Sequence, residues 1–154
     1  MQVIFKKLNP SSHELRIIKS DKPEETTVLD TETYHLHDVC HFFVEQELKT
    51  TEGFWGMLAQ GYRIDQLFGK TNELTEKLRI IECIVGGTQS VYSGHMSKEA
   101  FWNYMETVDW ELNDAQFLEK VVPRIREFMG SWKYLPIGGE MKLAFNVGPV
   151  GTAV

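Results

Sequence analysis

This sequence predicts an α+β fold: a mostly helical single domain with a small antiparallel sheet formed by an N-terminal hairpin and a C-terminal strand. Three observations predict it. Two strand-like runs joined by good turn residues open the chain. A cleanly alternating run, residues 140–147, closes it. Between them, apolar residues recur at helical spacing.

Residues 2–8 and 14–20 read as the two hairpin strands, with Asn9-Pro10-Ser11-Ser12 as the turn. Residues 21–25 form a polar loop. A helix is predicted over 33–49, a short one over 54–60 between Gly53 and Gly61, and a short helix or turn over 64–68. Asn72 is placed to cap a longer helix in which Leu74, Leu78, Ile81 and Val85 make one apolar stripe. Gly86-Gly87 inside that helix costs helical stability, and the pair reads as room for a neighbouring helix. Ser97 opens a helix bearing Phe101, Tyr104, Met105 and Val108. Asn113 with Gln116 resembles a capping box for a last helix carrying Phe117, Val121, Ile125, Phe128 and Trp132, which Pro123 should kink or restart. After Gly138-Gly139, Met141, Leu143, Phe145 and Val147 alternate with Glu140, Lys142, Ala144 and Asn146, so this strand buries one face. The domain is expected to span 1–148, with 149–154 a frayed tail. Roughly five helices and three strands result.

At 154 residues and 42% hydrophobic composition the chain has enough apolar material for one core. A net charge of −6 argues against nucleic acid or an anionic membrane as the main partner. The acidic residues are scattered, which fits a solvated surface. No apolar run approaches the ~18 residues of a membrane span, and the N-terminus lacks the layout of a signal peptide. A cytoplasmic location is therefore expected. Cys40 and Cys83 are too few for a disulfide framework and read as reduced core thiols. A small-molecule ligand is the expected partner; oligomeric state is not legible.

The chemistry concentrates in His37-Asp38-Val39-Cys40-His41. Histidines four apart stand one turn apart on the same helix face, which lets both imidazoles reach one divalent metal, zinc being the natural candidate. At about 100° per residue, His37, His41, Tyr34, Glu45 and Asp38 fall within one ~100° flank, while Val39, Phe43, Leu36, Cys40, Val44 and Leu48 sweep an apolar arc. Glu45 lies eight residues from His37, ~12 Å along the axis, too far to share its metal easily. It is better placed to orient His41, and Tyr34 is a second candidate for such support. Asp38 is the candidate catalytic residue, as a base toward metal-bound water, with ligand or supporting partner as its other readings. The third ligand must come from elsewhere: Glu52, Glu82, Gln89 or His95, with Glu82 placed in the site and the others left open. The bland alternatives are that Glu52 and Glu82 are solvated charges, that His95 is a surface loop residue, and that the histidines form a hydrogen-bonded network with carboxylates. Cys40 falls in the apolar arc and reads as inert. Gly53-Phe54-Trp55-Gly56 and Gly61-Tyr62 could line a pocket, but helix packing is the commoner use of such residues.

The run His37-Asp38-Val39-Cys40-His41-Phe42-Phe43-Val44-Glu45, followed by Gly53-Phe54-Trp55-Gly56, resembles a family of uncharacterised bacterial proteins with a His-Asp-x-x-His-Phe-x-Val-Glu motif. That resemblance implies relatives without implying an activity. His37, Asp38 and His41 are also similar to the ubiquinone-biosynthesis family with a His-Asp-x-x-His-x11-Glu zinc motif. The Glu of that motif would fall at position 53, which is Gly here, with Glu52 one residue early. Two functions are thus expected in competition. One is a metal-binding protein, possible as a hydrolase or lyase on a small molecule. The other is a non-enzymatic structural or interaction domain whose His–carboxylate cluster is a core network.

Overall fold

The computed structural model describes residues 1–67, 75–110 and 112–147. Strands β1 (Gln2–Lys7), β2 (Ser12–Ile18) and β3 (Glu25–Asp30) open the chain. Helices α1 (Thr31–Leu48), α2 (Phe54–Ala59), α3 (Ile64–Leu67), α4 (Glu76–Tyr92), α5 (Lys98–Met105) and α6 (Phe117–Tyr134) follow, and β4 (Glu140–Ala144) closes it. The four strands form one antiparallel sheet in the order β3-β2-β1-β4. The α+β reading holds, and the C-terminal strand pairs with the N-terminal hairpin as expected, Leu143 lying opposite Val3.

The hairpin turn is held by Asn9, whose Oδ1 accepts the backbone N–H groups of Ser11 and Ser12 at 2.9 and 2.8 Å. Period-2 alternation then puts Val3 and Phe5 from β1, and His13, Leu15 and Ile17 from β2, on the face that meets the helices. Phe145, just past β4, is 2% exposed and packs its ring against Phe42.

Four expectations are corrected. A third N-terminal strand, β3, follows the polar loop; its residues alternate only between half-buried and exposed, because it is an edge strand. Helix α1 begins at Thr31 because Asp30 caps it, accepting the Thr33 N–H at 2.9 Å. The capping box at Asn113 does not form: Asp114 accepts the Gln116 N–H instead, and α6 begins at Phe117. Pro123 neither stops nor restarts α6; it sits on the exposed face, where water can reach the Glu119 carbonyl that it leaves unbonded. The Asn72 cap, Leu74, Phe68 and the 149–154 tail lie outside the described residues.

Helix α1 is the centre of the domain, packed against the sheet and against α2, α4 and α6. Its apolar surface is wider than the predicted arc: Phe42 is buried against Trp55 and Phe145. Gly87 is where α5 crosses α4, since a Cβ there would stand 3.1 Å from the Phe101 ring. Among the described residues, no helix is long and apolar enough to cross a membrane.

Two core histidines went unnoticed in the sequence. His13 and His35 are 0% and 1% exposed, with ring centroids 4.7 Å apart. The His35 ring lies against Trp132, Phe5 and Phe128, and neither of its nitrogens has a hydrogen-bond partner among the described residues. His13 Nδ1 meets the Thr31 hydroxyl at 2.9 Å. Burial pushes His13 down to about 4, against the pull of Asp30. Burial, with help from His13 and Lys7, pushes His35 down to about 3.

Two predictions follow from this core. Phe145→Ala should cost ~3–5 kcal/mol in urea titrations, the usual range for a buried Phe. Both histidines titrate near 6.5 in the unfolded chain, so unfolded protein takes up protons that the folded core refuses. Their stabilising contribution is complete above pH ~6.5 and is lost as pH falls toward the folded values near 4 and 3. His35→Phe should flatten this acid loss in a comparison of melting temperatures from pH 7 to 4; an unchanged pH slope would contradict the argument.

Candidate metal centre

The site lies where α1 meets α4. The bonds pair His37 with Gln89 and His41 with Glu82, so the two helices run antiparallel here. One donor atom each from His37, His41 and Glu82 lie within 4.8 Å of one another, and the three could hold a metal ion. His41 Nε2 is 2.9 Å from Glu82 Oε1, and His37 Nε2 is 3.5 Å from Glu82 Oε2. Donors around a tetrahedral ion with ~2.0–2.2 Å bonds stand ~3.4 Å apart. His41 and Glu82, now at hydrogen-bond distance, would part slightly around one, and the donors spread over as much as 4.8 Å would draw in.

Both imidazoles are oriented from behind. His41 Nδ1–H donates to Glu45 Oε2 at 2.8 Å, and His37 Nδ1–H donates to Gln89 Oε1 at 3.1 Å. Each ring therefore turns its Nε2 toward the same carboxylate. Glu45 is fully buried, and its other oxygen accepts the Gly56 N–H at 2.9 Å. It belongs to the support of His41 and not to the donor group, as the axial distance argument requires.

Of the four candidates for the third donor, Glu82 is the one beside both histidines. Gln89 is drawn in as the acceptor for His37. Glu52 points elsewhere, to Lys77 Nζ at 2.9 Å. His95 is exposed in the turn after α4. Position 53 carries no ligand: a Cβ there would collide with the Glu45 carboxyl, so Glu45 fills the space in which a side chain at 53 would begin. Tyr34 is 38% exposed and helps line a cavity of about 620 Å³ with Glu25, Leu29 and Arg63.

The electrostatics are those of a tightly paired cluster. Burial works against charge on His41, but its bonds to Glu45 and Glu82 outweigh it and hold the ring up at about 9. Burial likewise opposes ionisation of Glu82, yet the two histidines bring it down to about 2. His37 is raised, chiefly by Glu82. Asp38 differs. It is 5% exposed, its Oδ2 has no hydrogen-bond partner among the described residues, and burial pushes the carboxyl up to about 7, with Glu82 adding to the rise and His41 and His37 opposing it. Cys40 is buried, and burial lifts its thiol to about 12, so it is not a nucleophile. Cys83 is half-buried, not in the core as expected.

The Gly53–Gly56 segment packs against α1, the commoner of its two expected uses; what the sequence did not reveal is which groups it reaches. Trp55 is fully buried, its Nε1–H donates to the Asp38 carbonyl at 3.0 Å, and Gly56 contacts Glu45. The clue was available in composition: two glycines flanking Phe-Trp, next to a helix that carries a Glu among apolar residues.

The chain matches no family model, no curated protein and no solved structure.

Glu45→Ala should cost ~3–5 kcal/mol of unfolding free energy even in metal-free protein, because it leaves His41 and the Gly56 N–H buried with a partner removed. Chemical denaturation with and without a chelator checks this; a loss under ~1 kcal/mol would mean that the pair is not a structural anchor.

Proposed function

We propose that this protein binds one divalent transition metal, zinc, through His37 Nε2, His41 Nε2 and the Glu82 carboxylate. The observation that carries the reading is orientation: each imidazole has its Nδ1 engaged by an acceptor on the far side, and both Nε2 atoms face one carboxylate. Two imidazoles and a carboxylate are a donor set that suits zinc, and metal-bound histidines characteristically give their other N–H to such an acceptor. Three protein donors leave a fourth position. His37 and Glu82 have side chains 41% and 38% exposed, so that position faces solvent.

The reaction class this supports is metal-assisted hydrolysis or lysis of a small molecule. The ion would supply a Lewis acid for a substrate oxygen or for water. This chain's own part is to hold the ion, to exclude water on the His41 side, and to place the Asp38 carboxyl beside the donors as the group that exchanges a proton with the reacting water.

One observation favours a second reading, a non-enzymatic tie between helices. Glu82 bonds His41 directly at 2.9 Å, which by itself joins α1 to α4.

Untagged, chelator-stripped protein should take up one zinc per chain in equilibrium dialysis. His37→Ala, His41→Ala and Glu82→Ala should each weaken binding at least a hundredfold. Zinc at 100 times its Kd should stabilise the fold by ~2.7 kcal/mol. Protein that stays folded, takes up no zinc and loses stability on Glu82→Gln would establish the tie instead.

A further inference from the structure

We infer that helix α2 is the positioning element of the metal centre, and that Gly53 and Gly56 are the residues that let it act. The inference rests on the metal reading for its consequence, but the clamp itself is present in the protein without an ion.

Two adjacent residues of α2 grip α1 on either side of His41. Trp55 Nε1–H donates to the carbonyl of Asp38, three residues before His41. Gly56 N–H donates to Oε1 of Glu45, four residues after it, while Oε2 of the same carboxylate receives His41 Nδ1–H. The Glu45 carboxylate is thus a bridge with one oxygen on the ring and one on α2. It has no exposure and so no water to reorganise around it.

Such closeness needs residues without side chains. A Cβ on Gly53 would stand 2.5 Å from Glu45 Oε1 and 2.7 Å from its Cγ. A Cβ on Gly56 would stand 2.5 Å from the carbonyl carbon of Thr51, so α2 could not fold back over its own approach. Neither glycine has a left-handed backbone. Their absent side chains are required by contact and not by conformation. Glu45 is held in one rotamer, and the plane of the His41 ring is set with Nε2 toward Glu82.

The test uses the full chain. Gly53→Ala should keep the helical circular dichroism of the parent, lose the slowly exchanging His41 Nδ1–H resonance in metal-free proton NMR, and bind zinc ~10–100-fold more weakly, the usual cost of losing support behind a ligand. A folded variant with the parent's resonance and the parent's zinc Kd would overturn the inference. If Gly53→Ala does not fold, the parent protein decides: zinc should slow hydrogen exchange at the Gly56 amide at least tenfold although Gly56 is no ligand, and an unchanged rate would overturn the clamp. If the parent takes up no zinc, the metal reading fails on its own. Loss of the His41 resonance in metal-free Gly53→Ala then still supports the clamp, and its retention overturns it.

Discussion

A carboxylate with no exposure must be paired, and the pairing of Glu45 organises this molecule. Its partners lie on two helices: His41 one turn earlier on α1 and the Gly56 N–H on α2. For α2 to return to Glu45, the chain must reverse immediately after α1. It does so through Lys49, which takes the left-handed conformation at φ 54°, while the Thr50 N–H closes on the Glu45 carbonyl. The two glycines flanking Phe54-Trp55 then let the backbone come close. A polar requirement at one residue thereby explains a turn, a short helix and two glycines that hydrophobic packing alone would not demand.

The sheet was legible at both ends of the chain because antiparallel strands with one buried face print a period of two, and Met141, Leu143 and Phe145 print it clearly. The same rule explains why β3 was missed. The half-buried positions of β3 carry Glu25, Thr27 and Leu29 while Val28 faces out, so its two faces do not differ in polarity as those of β4 do. His13 was lost for a related reason. Beside Ser11, Ser12 and Glu14 it looks like turn surface, yet it keeps step with Leu15 and Ile17 and so points inward. His35 sits on the sheet-facing side of α1 while His37 and His41 face α4, so a wheel centred on the motif pair leaves it unexamined.

Half of the site was local and half was not. A His pair at i and i+4 is fixed by helix geometry, and the placement of Glu45 behind His41 follows from the same geometry. The partner on α4 depends on how two helices come into register, with His37 and Gln89 standing 52 residues apart in sequence, which no local pattern encodes. Glu82 and Gln89 share a helix face at a spacing of two turns, and that spacing is what lets one meet His41 and the other His37. Before the antiparallel register is known, Glu82 is one of four polar residues that could take the third place. Afterwards the register leaves one.

Asp38 is the residue on which the metal reading and the scaffold reading differ most. Glu45 has both oxygens bonded, and Glu82 reaches both histidines, so a network built only to join helices would already be complete. Asp38 adds a buried carboxyl whose Oδ2 has no hydrogen-bond partner among the described residues, at a cost of order 1–3 kcal/mol for the unmade bond. An Ala at this position would spare the fold that cost. The Trp55 bond does not account for the carboxyl, since it uses the Asp38 backbone carbonyl and would survive a change of side chain. What the side chain does contribute is a buried carboxyl, pushed up to about 7 by that burial, beside two imidazoles and a carboxylate. Buried carboxyls raised in this way cluster at functional sites, and this one lies next to the one His–carboxylate group among the described residues that could hold an ion, which is the placement the proposed metal reading expects.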